Sequence, residues 1–343
     1  MNEKPISLRK EEHIRISLEE DVTGHGITTG LEDYCFVHQA LPELDFRELN
    51  LTTSFLGKQL KVPFIISSMT GGTERSLSIN SNLAEIAEEK GWALALGSTR
   101  AALENTETAK TFQVRKLAPS IPIIANLGAV QLNYGYGVEE CRRIIDLTEA
   151  DALVLHLNSI QEIIQTGGNT NFKGLLHKID VLCSSLDIPI GVKEVGWGIH
   201  SDLASVLIKM GVSFIDVAGA GGTSWSQVEM YRSNDPITRA AAEIFSGWGI
   251  PTADCIVGAR LFSEKNIIIA SGGISNGLEA AKALGLGANL AGFGRSILRE
   301  AVQSADDLRS AFEVIELQLK MAMFGIGAGN IKELRGTPFL IKK

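Results

Sequence analysis

The chain has 343 residues, 45% of them hydrophobic, and a formal net charge of -8, with a sequence pI near 5.4. That size permits a large buried core, while the acidic balance leaves no global positive field to gather nucleic acid or an anionic membrane. No apolar run approaches the ~20 residues of a membrane helix, and Cys35, Cys141, Cys183 and Cys255 lack the paired spacing of a zinc cluster or disulfide framework. A soluble, untargeted, cytoplasmic protein in a reducing compartment is expected, and any anionic ligand must be held by a local basic site.

In chain order, the first feature is Arg9, Lys10 and His13, three potential cations within five positions. Such a cluster is ordinarily a solvated tail, and sequence physics alone assigns it nothing more. Short β-branched runs closed by glycine or polar residues then recur eight times, at 62–69, 93–98, 121–128, 152–158, 188–196, 213–222, 266–274 and 288–295. Helical spacing lies between them, as at Leu83, Ile86, Ala87 and Lys90 and over 138–147. Continuous apolar runs suit strands buried on both faces, and strict alternation with helices implies parallel pairing. An open doubly wound sheet would show the same alternation, but eight units in this length, each ending in polar residues, predict a TIM (β/α)8 barrel with its active site at the strands' C-terminal ends. Residues 1–61 are expected to be an N-terminal extension over one end, 62–300 the barrel, and 301–343 a helical segment carried by Leu308, Phe312, Ile315, Leu319, Ala322 and Met323. One domain is expected.

The strand ends carry the candidate chemistry. The first ends in SSMTGG (67–72), the second in GSTR (97–100) and the third at Asn126. Small hydroxyl and amide groups there can hydrogen-bond a flat heterocycle while Met69 packs on its face, although each alone could be a loop start. The fourth gives HLNSIQE: His156 and Asn158 share a face, and Gln161 and Glu162 are expected to begin the following loop. A lone histidine is usually structural, but this one stands at a catalytic rim beside an amide and a carboxylate. A single carboxylate is too little for a protein-only cage, yet suits Mg2+, which keeps waters and substrate phosphate in its shell. Lys193 closes the fifth strand in an otherwise apolar run and must meet an anion, either a ligand or a structural partner such as Glu194 or Asp216. SGGI (271–274) and AGFGR (291–295) end the seventh and eighth strands, where such barrels commonly bind phosphate; ordinary turns are the alternative.

Together RKEEH (9–13), SSMTGG, GSTR, HLNSIQE, VKEVGWG (192–198), AGAGGTSW (218–225), WGIPT, SGGI and AGFGR resemble the type 2 isopentenyl-diphosphate isomerases over essentially the whole chain. Singly these motifs are weak; in this order they are specific. The resemblance implies FMN held by Ser68, Met69, Thr70, Ser98, Asn126, Lys193 and Thr223, with its phosphate on the backbone around Ser271, Gly272, Gly273, Ala291 and Gly292. It implies a substrate diphosphate gripped by Arg9, Lys10, His13, Ser98, Arg100, His156 and Asn158, so that the N-terminal cluster becomes a lid. Thr99 stands where the family often has glutamine, which puts the detail of that substrate contact in question. Gln161 near the allylic carbon and His156 are the implied catalytic side chains, and Glu162 the implied Mg2+ ligand. The implied activity is reversible conversion of isopentenyl diphosphate into dimethylallyl diphosphate in isoprenoid biosynthesis, with reduced FMN as acid and base. NADPH or another reductant would prime the flavin, and a homo-oligomer, tetramer or octamer, is implied.

The chemistry is consistent with that reading. The alkene of isopentenyl diphosphate is unactivated, so moving it needs protonation at one carbon and deprotonation at another, for which an electron-rich reduced flavin is better suited than ordinary side chains. Redox FMN barrels of the 2-hydroxy-acid oxidase group are the nearest alternative, but no His-Gly-Gly run stands at the seventh strand. An IMP dehydrogenase-like enzyme needs a cysteine after the sixth strand, and 223–239 contains none. A non-catalytic flavin or phosphate binder would not need Gln161, Glu162 and the Arg9 cluster.

Overall fold

In a computed structural model, which describes residues 6–262 and 265–343, the eight apolar runs become β1 (Phe64–Ile66), β2 (Ala93–Ala95), β3 (Ile123–Gly128), β4 (Ala152–His156), β5 (Ile190–Lys193), β6 (Phe214–Asp216), β7 (Ile267–Ala270) and β8 (Leu290–Phe293). Each pairs in parallel with its sequence neighbours, and β8 closes on β1 to complete a barrel. Helices around or beside the barrel include α1 (Ile6–Glu19), α2 (Glu74–Lys90), α3 (Ser159–Ile164), α4 (Trp225–Arg232) and α5 (Ala305–Gly325). The fold is thus the predicted TIM (β/α)8 barrel. Among the described residues no helix is long and apolar enough to cross a membrane.

Alternation along each strand sorts the side chains. Phe64, Ile66, Leu94, Ala125, Leu153, Leu155, Val192 and Ile215 pack outward against the helices. Ile65, Ala93, Ala95, Ile124, Ala152, Val154, Phe214, Ile269 and Leu290 form a separate inner cluster. Two residues further along, the same inward series turns polar with Asn126, His156, Lys193, Asp216 and Ser271. The register sets His156 opposite Lys193 and Lys193 opposite Asp216. The barrel is therefore apolar at its N-terminal half and polar at the end where the loops open.

Two expectations about the termini are corrected. Within the N-terminal segment, the described residues 6–61 serve both ends of the barrel rather than one. A hairpin of Thr53–Phe55 with Lys58–Leu60 brings Phe55 and Leu60 into the inner cluster, with Phe55 edge-on to Phe214 at 5.5 Å, because the apolar bottom of the barrel needs a cover. α1 lies at the opposite end, over the polar layer. The C-terminal segment begins as predicted with α5, which buries Leu308, Phe312, Ile315, Leu319 and Met323 and stacks Phe312 on Trp92 at 3.7 Å. It does not stay helical: Leu340–Lys342 pairs antiparallel with Tyr34–Phe36, tying the two terminal segments together.

Candidate active site

At the C-terminal end of the strands lies a cavity of about 740 Å3. The loops bring together Ser68, Met69, Thr70, Ser98, Arg100, Asn126, His156, Asn158, Gln161, Glu162, Lys193, Thr223, Ser271, Gly272, Gly273 and Gly292, and α1 adds Arg9, Lys10 and His13. Two predicted residues stand apart from its wall. Thr99 is fully buried and donates its hydroxyl to the Asn126 carbonyl at 2.7 Å. The Ala291 methyl belongs to the outward layer, away from the cavity.

The floor is the polar layer of the barrel. The Ser67 and Ser68 hydroxyls are buried and unpaired, as are Gln131 Oε1 and Asn158 Oδ1, and all four residues line the cavity. Buried polar atoms normally have partners, so four orphans around one space mark it as built for a polar ligand. At the β7 end, Gly272 and Gly273 have φ of 99° and 74°, a conformation that side-chain-bearing residues seldom adopt and that exposes backbone N–H groups to an anion. The Ser271 hydroxyl is turned the other way, donating to Asp216 Oδ1 at 2.6 Å. A Cβ on Gly128 would lie 3.1 Å from His156 Nε2, so glycine there makes room for the imidazole. His156 Nδ1 lies 2.7 Å from Asn126 Oδ1, which takes its N–H and leaves Nε2 toward the open space. Burial, with the Lys193 and Lys10 cations, pushes His156 down to about 3, so the ring is neutral at neutral pH.

The roof and side wall are a hydrogen-bond chain between distant elements. Gln161 and Glu162 sit on α3 rather than in the predicted loop, because Asn158 starts a helix of six residues. Asn158 Nδ2 donates to Gln161 Oε1 at 3.2 Å and Glu162 Oε1 at 2.9 Å, and Glu162 Oε2 accepts the Asn169 N–H at 2.6 Å. Gln161 Nε2 then donates to Glu229 Oε1 at 3.2 Å, so both ends of its amide are fixed. The same Glu229 oxygen meets His13 Nε2 at 2.9 Å, while Arg232 binds the other oxygen and reaches Glu12 at 3.2 Å. Burial alone would push the Glu229 carboxyl up, but His13, Arg232 and Gln161 hold it at about 2. Trp225 packs edge-on to His13 at 5.1 Å. Backbone bonds from Ser224 to Val22 and from Gly24 to Gly222 fasten the chain after α1 to the loop after β6.

Glu229, Arg232, Gln131 and Asn169 were not candidates from sequence. Glu229 lies one helical turn beyond Trp225, the last residue of the AGAGGTSW motif, so i, i+4 spacing from that tryptophan could have found it. Arg232 is one turn further. Gln131 and Asn169, bonded to each other at 3.1 Å, carry no local signal.

A family model described as FMN-dependent dehydrogenase matches residues 156–341. The chain is 56% identical over 335 residues to an isopentenyl-diphosphate delta-isomerase of Oceanobacillus iheyensis, covering 98% of this chain and 96% of the relative. It is 49% identical to one of a Nostoc species, covering 95% and 93%. Among solved structures, a flavocytochrome b2 mutant with pyruvate bound superposes with a TM-score of 0.69 at 16% identity, over 96% of this chain and 82% of that one. A mandelate oxidase mutant gives 0.63 at 16% identity, over 97% and 92%. These structural likenesses concern the barrel.

Proposed function

The chain belongs to the isopentenyl-diphosphate delta-isomerase family, and from that premise we infer that its cavity performs the FMN-dependent isomerisation of isopentenyl diphosphate to dimethylallyl diphosphate. The observation that carries this reading is that one cavity joins a floor of orphaned polar atoms and Lys193 to a roof of Arg9, Lys10 and His13 supplied by α1. The two halves suit two different anionic ligands. The floor residues fit FMN: Ser67 and Ser68 have free hydroxyls, Asn126 and Lys193 are donors in the polar layer, and the Gly272–Gly273 backbone suits its phosphate. When bound and reduced, FMN would supply an electron-rich surface that exchanges protons with the substrate and stabilises positive charge.

The protein's own side chains then bind and orient. Arg9, Lys10 and Arg100 offer charge-assisted hydrogen bonds to a diphosphate, and His156 is neutral until such an anion raises its proton affinity. Asn158 and Glu229 lock the Gln161 amide, so it can hold a reacting carbon or relay a proton without reorienting. α1 stands over the cavity with Arg9, Lys10 and His13 on its wall, and a ligand bound beneath it would be shielded from water, which would strengthen each of these interactions. Among the described residues no group of three or more histidine, cysteine or carboxylate side chains forms a metal cage. Glu162 lines the cavity, where its carboxylate would serve Mg2+ as one ligand beside the substrate diphosphate and waters. NADPH or another hydride donor is needed to reduce the flavin once.

Turnover stoichiometry tests the reading. Protein loaded with FMN, given Mg2+ and reduced once under anaerobic conditions, should convert many equivalents of isopentenyl diphosphate with no further reductant consumed, and the oxidised form should be inactive. Reductant consumption in proportion to product would overturn it.

A further inference from the structure

We infer that Asp216 is a charge-setting residue for Lys193: a buried counter-charge on β6 that determines how strongly the Lys193 cation favours the anionic, reduced form of a bound flavin. This rests on the reading that the cavity floor takes FMN. The two residues are register partners on adjacent strands, Lys193 7% and Asp216 6% exposed, both in the inward series of the barrel. Lys193 lines the cavity and Asp216 does not, so the carboxylate acts from beneath. Two donors converge on Asp216 Oδ1, the Ser271 hydroxyl at 2.6 Å and the Ala218 N–H at 3.3 Å. Burial pushes the Asp216 carboxyl up from the usual carboxylate range, and the Lys193 cation, the Ser271 hydroxyl and the Ala218 N–H oppose that shift and fix its place.

Other groups near Lys193 do less. Its amine donates to the Glu194 carbonyl, and among the described residues no carboxylate makes an ion pair with it. The Glu194 carboxylate is spent on the N–H groups of Val195, Gly196 and Trp197, at 2.6, 2.7 and 2.6 Å, and burial pushes it up to about 7, so its charge is partly lost at neutral pH. Asp216 is the carboxylate that faces Lys193 across the strand pair, and the Lys193 cation is the leading influence holding it ionised against burial. In a poorly screened interior, a nearby negative charge opposes formation of another anion, and a nearby cation favours it. An ionised Asp216 offsets the Lys193 charge, which moderates the pull of the lysine on flavin electrons.

The test is the two-electron reduction potential of bound FMN, with its affinity measured separately in the oxidised state. Asp216→Asn keeps the shape and removes the charge, so reduced flavin should be favoured about tenfold more than in wild type, a rise of about 30 mV. Lys193→Gln should lower the potential, and the double variant should return toward the wild-type value. Should Asp216→Asn not fold, Ser271→Ala removes one donor to the carboxylate and should raise the potential by a smaller amount. A role in packing alone would weaken both oxidation states equally and leave the potential unmoved, which overturns the inference. Wild-type protein that binds no FMN overturns the flavin reading instead, so the two failures are distinct.

Discussion

Lys10 shows how a single residue can carry a pH dependence. Burial, with Arg9 beside it, pushes its ammonium down to about 8, so it is charged below that pH and neutral above it. A diphosphate needs the charged form, and kcat/KM reports the free enzyme. It should therefore fall as pH rises through about 8, approaching a tenfold loss one unit higher. Lys10→Arg should remove that alkaline limb, since arginine keeps its charge; a limb unchanged in the variant would show that another group titrates. Sequence already marked some of the residues that line the cavity. Lys193 was conspicuous because a lysine in an apolar run must find an anion, Asn126 because an amide closes the third strand, and His156 because it stands at a strand end beside an amide and a carboxylate. Glu229 was missed, because a glutamate on a helix is normally a solvated residue and its spacing from Trp225 was the one signal it carried. Only the fold, which sets it against His13 and Arg232 at 1% exposure of its side chain, makes it the centre of the wall.

At the scale of an element, α1 was readable as a cationic cluster but not as a docked helix. The partners that seat it, Glu229 and Arg232, are more than 200 positions away in the chain. Apolar contacts also hold it: Ile16, Val22 and Val228 form a small separate cluster. Burying one such side chain contributes about 1.5–3 kcal/mol, and leaving a buried charge without its partner costs about 3–5 kcal/mol. The polar contacts are thus large enough to decide whether the helix stays down. Glu229→Gln leaves Arg232 and His13 without their shared carboxylate, so α1 should loosen. Trypsin should then cut after Lys10 and Arg15 several-fold faster than in wild type, and KM for the diphosphate substrate should rise. Equal cleavage rates in the two proteins would mean that the apolar cluster alone seats the helix. Gln161 and Glu162 show the complementary limit: their motif was legible but their element was not, since a helix of six residues leaves too little periodicity to read.

Across the whole molecule, the barrel separates stability from chemistry along its axis. The eightfold alternation of apolar runs and helical segments made the closed sheet legible, because few architectures use that many βα units in one stretch. What covers the bottom was not legible. The hairpin of Thr53–Phe55 and Lys58–Leu60 is three residues a strand, too short to distinguish from a connecting loop, and its function depends on Phe214 far along the chain. Phe55 is 1% exposed and belongs to the inner cluster, whereas the cavity lies above the polar layer at the other end. Phe55→Ala removes a ring from a packed interior and should cost about 3–5 kcal/mol. At about 2–4 °C per kcal/mol for a large domain, Tm should drop by roughly 10 °C. Because the inner apolar cluster stands between Phe55 and the polar layer, kcat/KM at 25 °C should stay within about twofold of wild type. Thermal unfolding followed beside steady-state kinetics checks both halves of this expectation. A large loss of turnover in protein still folded at the assay temperature would mean that the two ends of the barrel are mechanically coupled, and that the polar layer depends on the stopper beneath it.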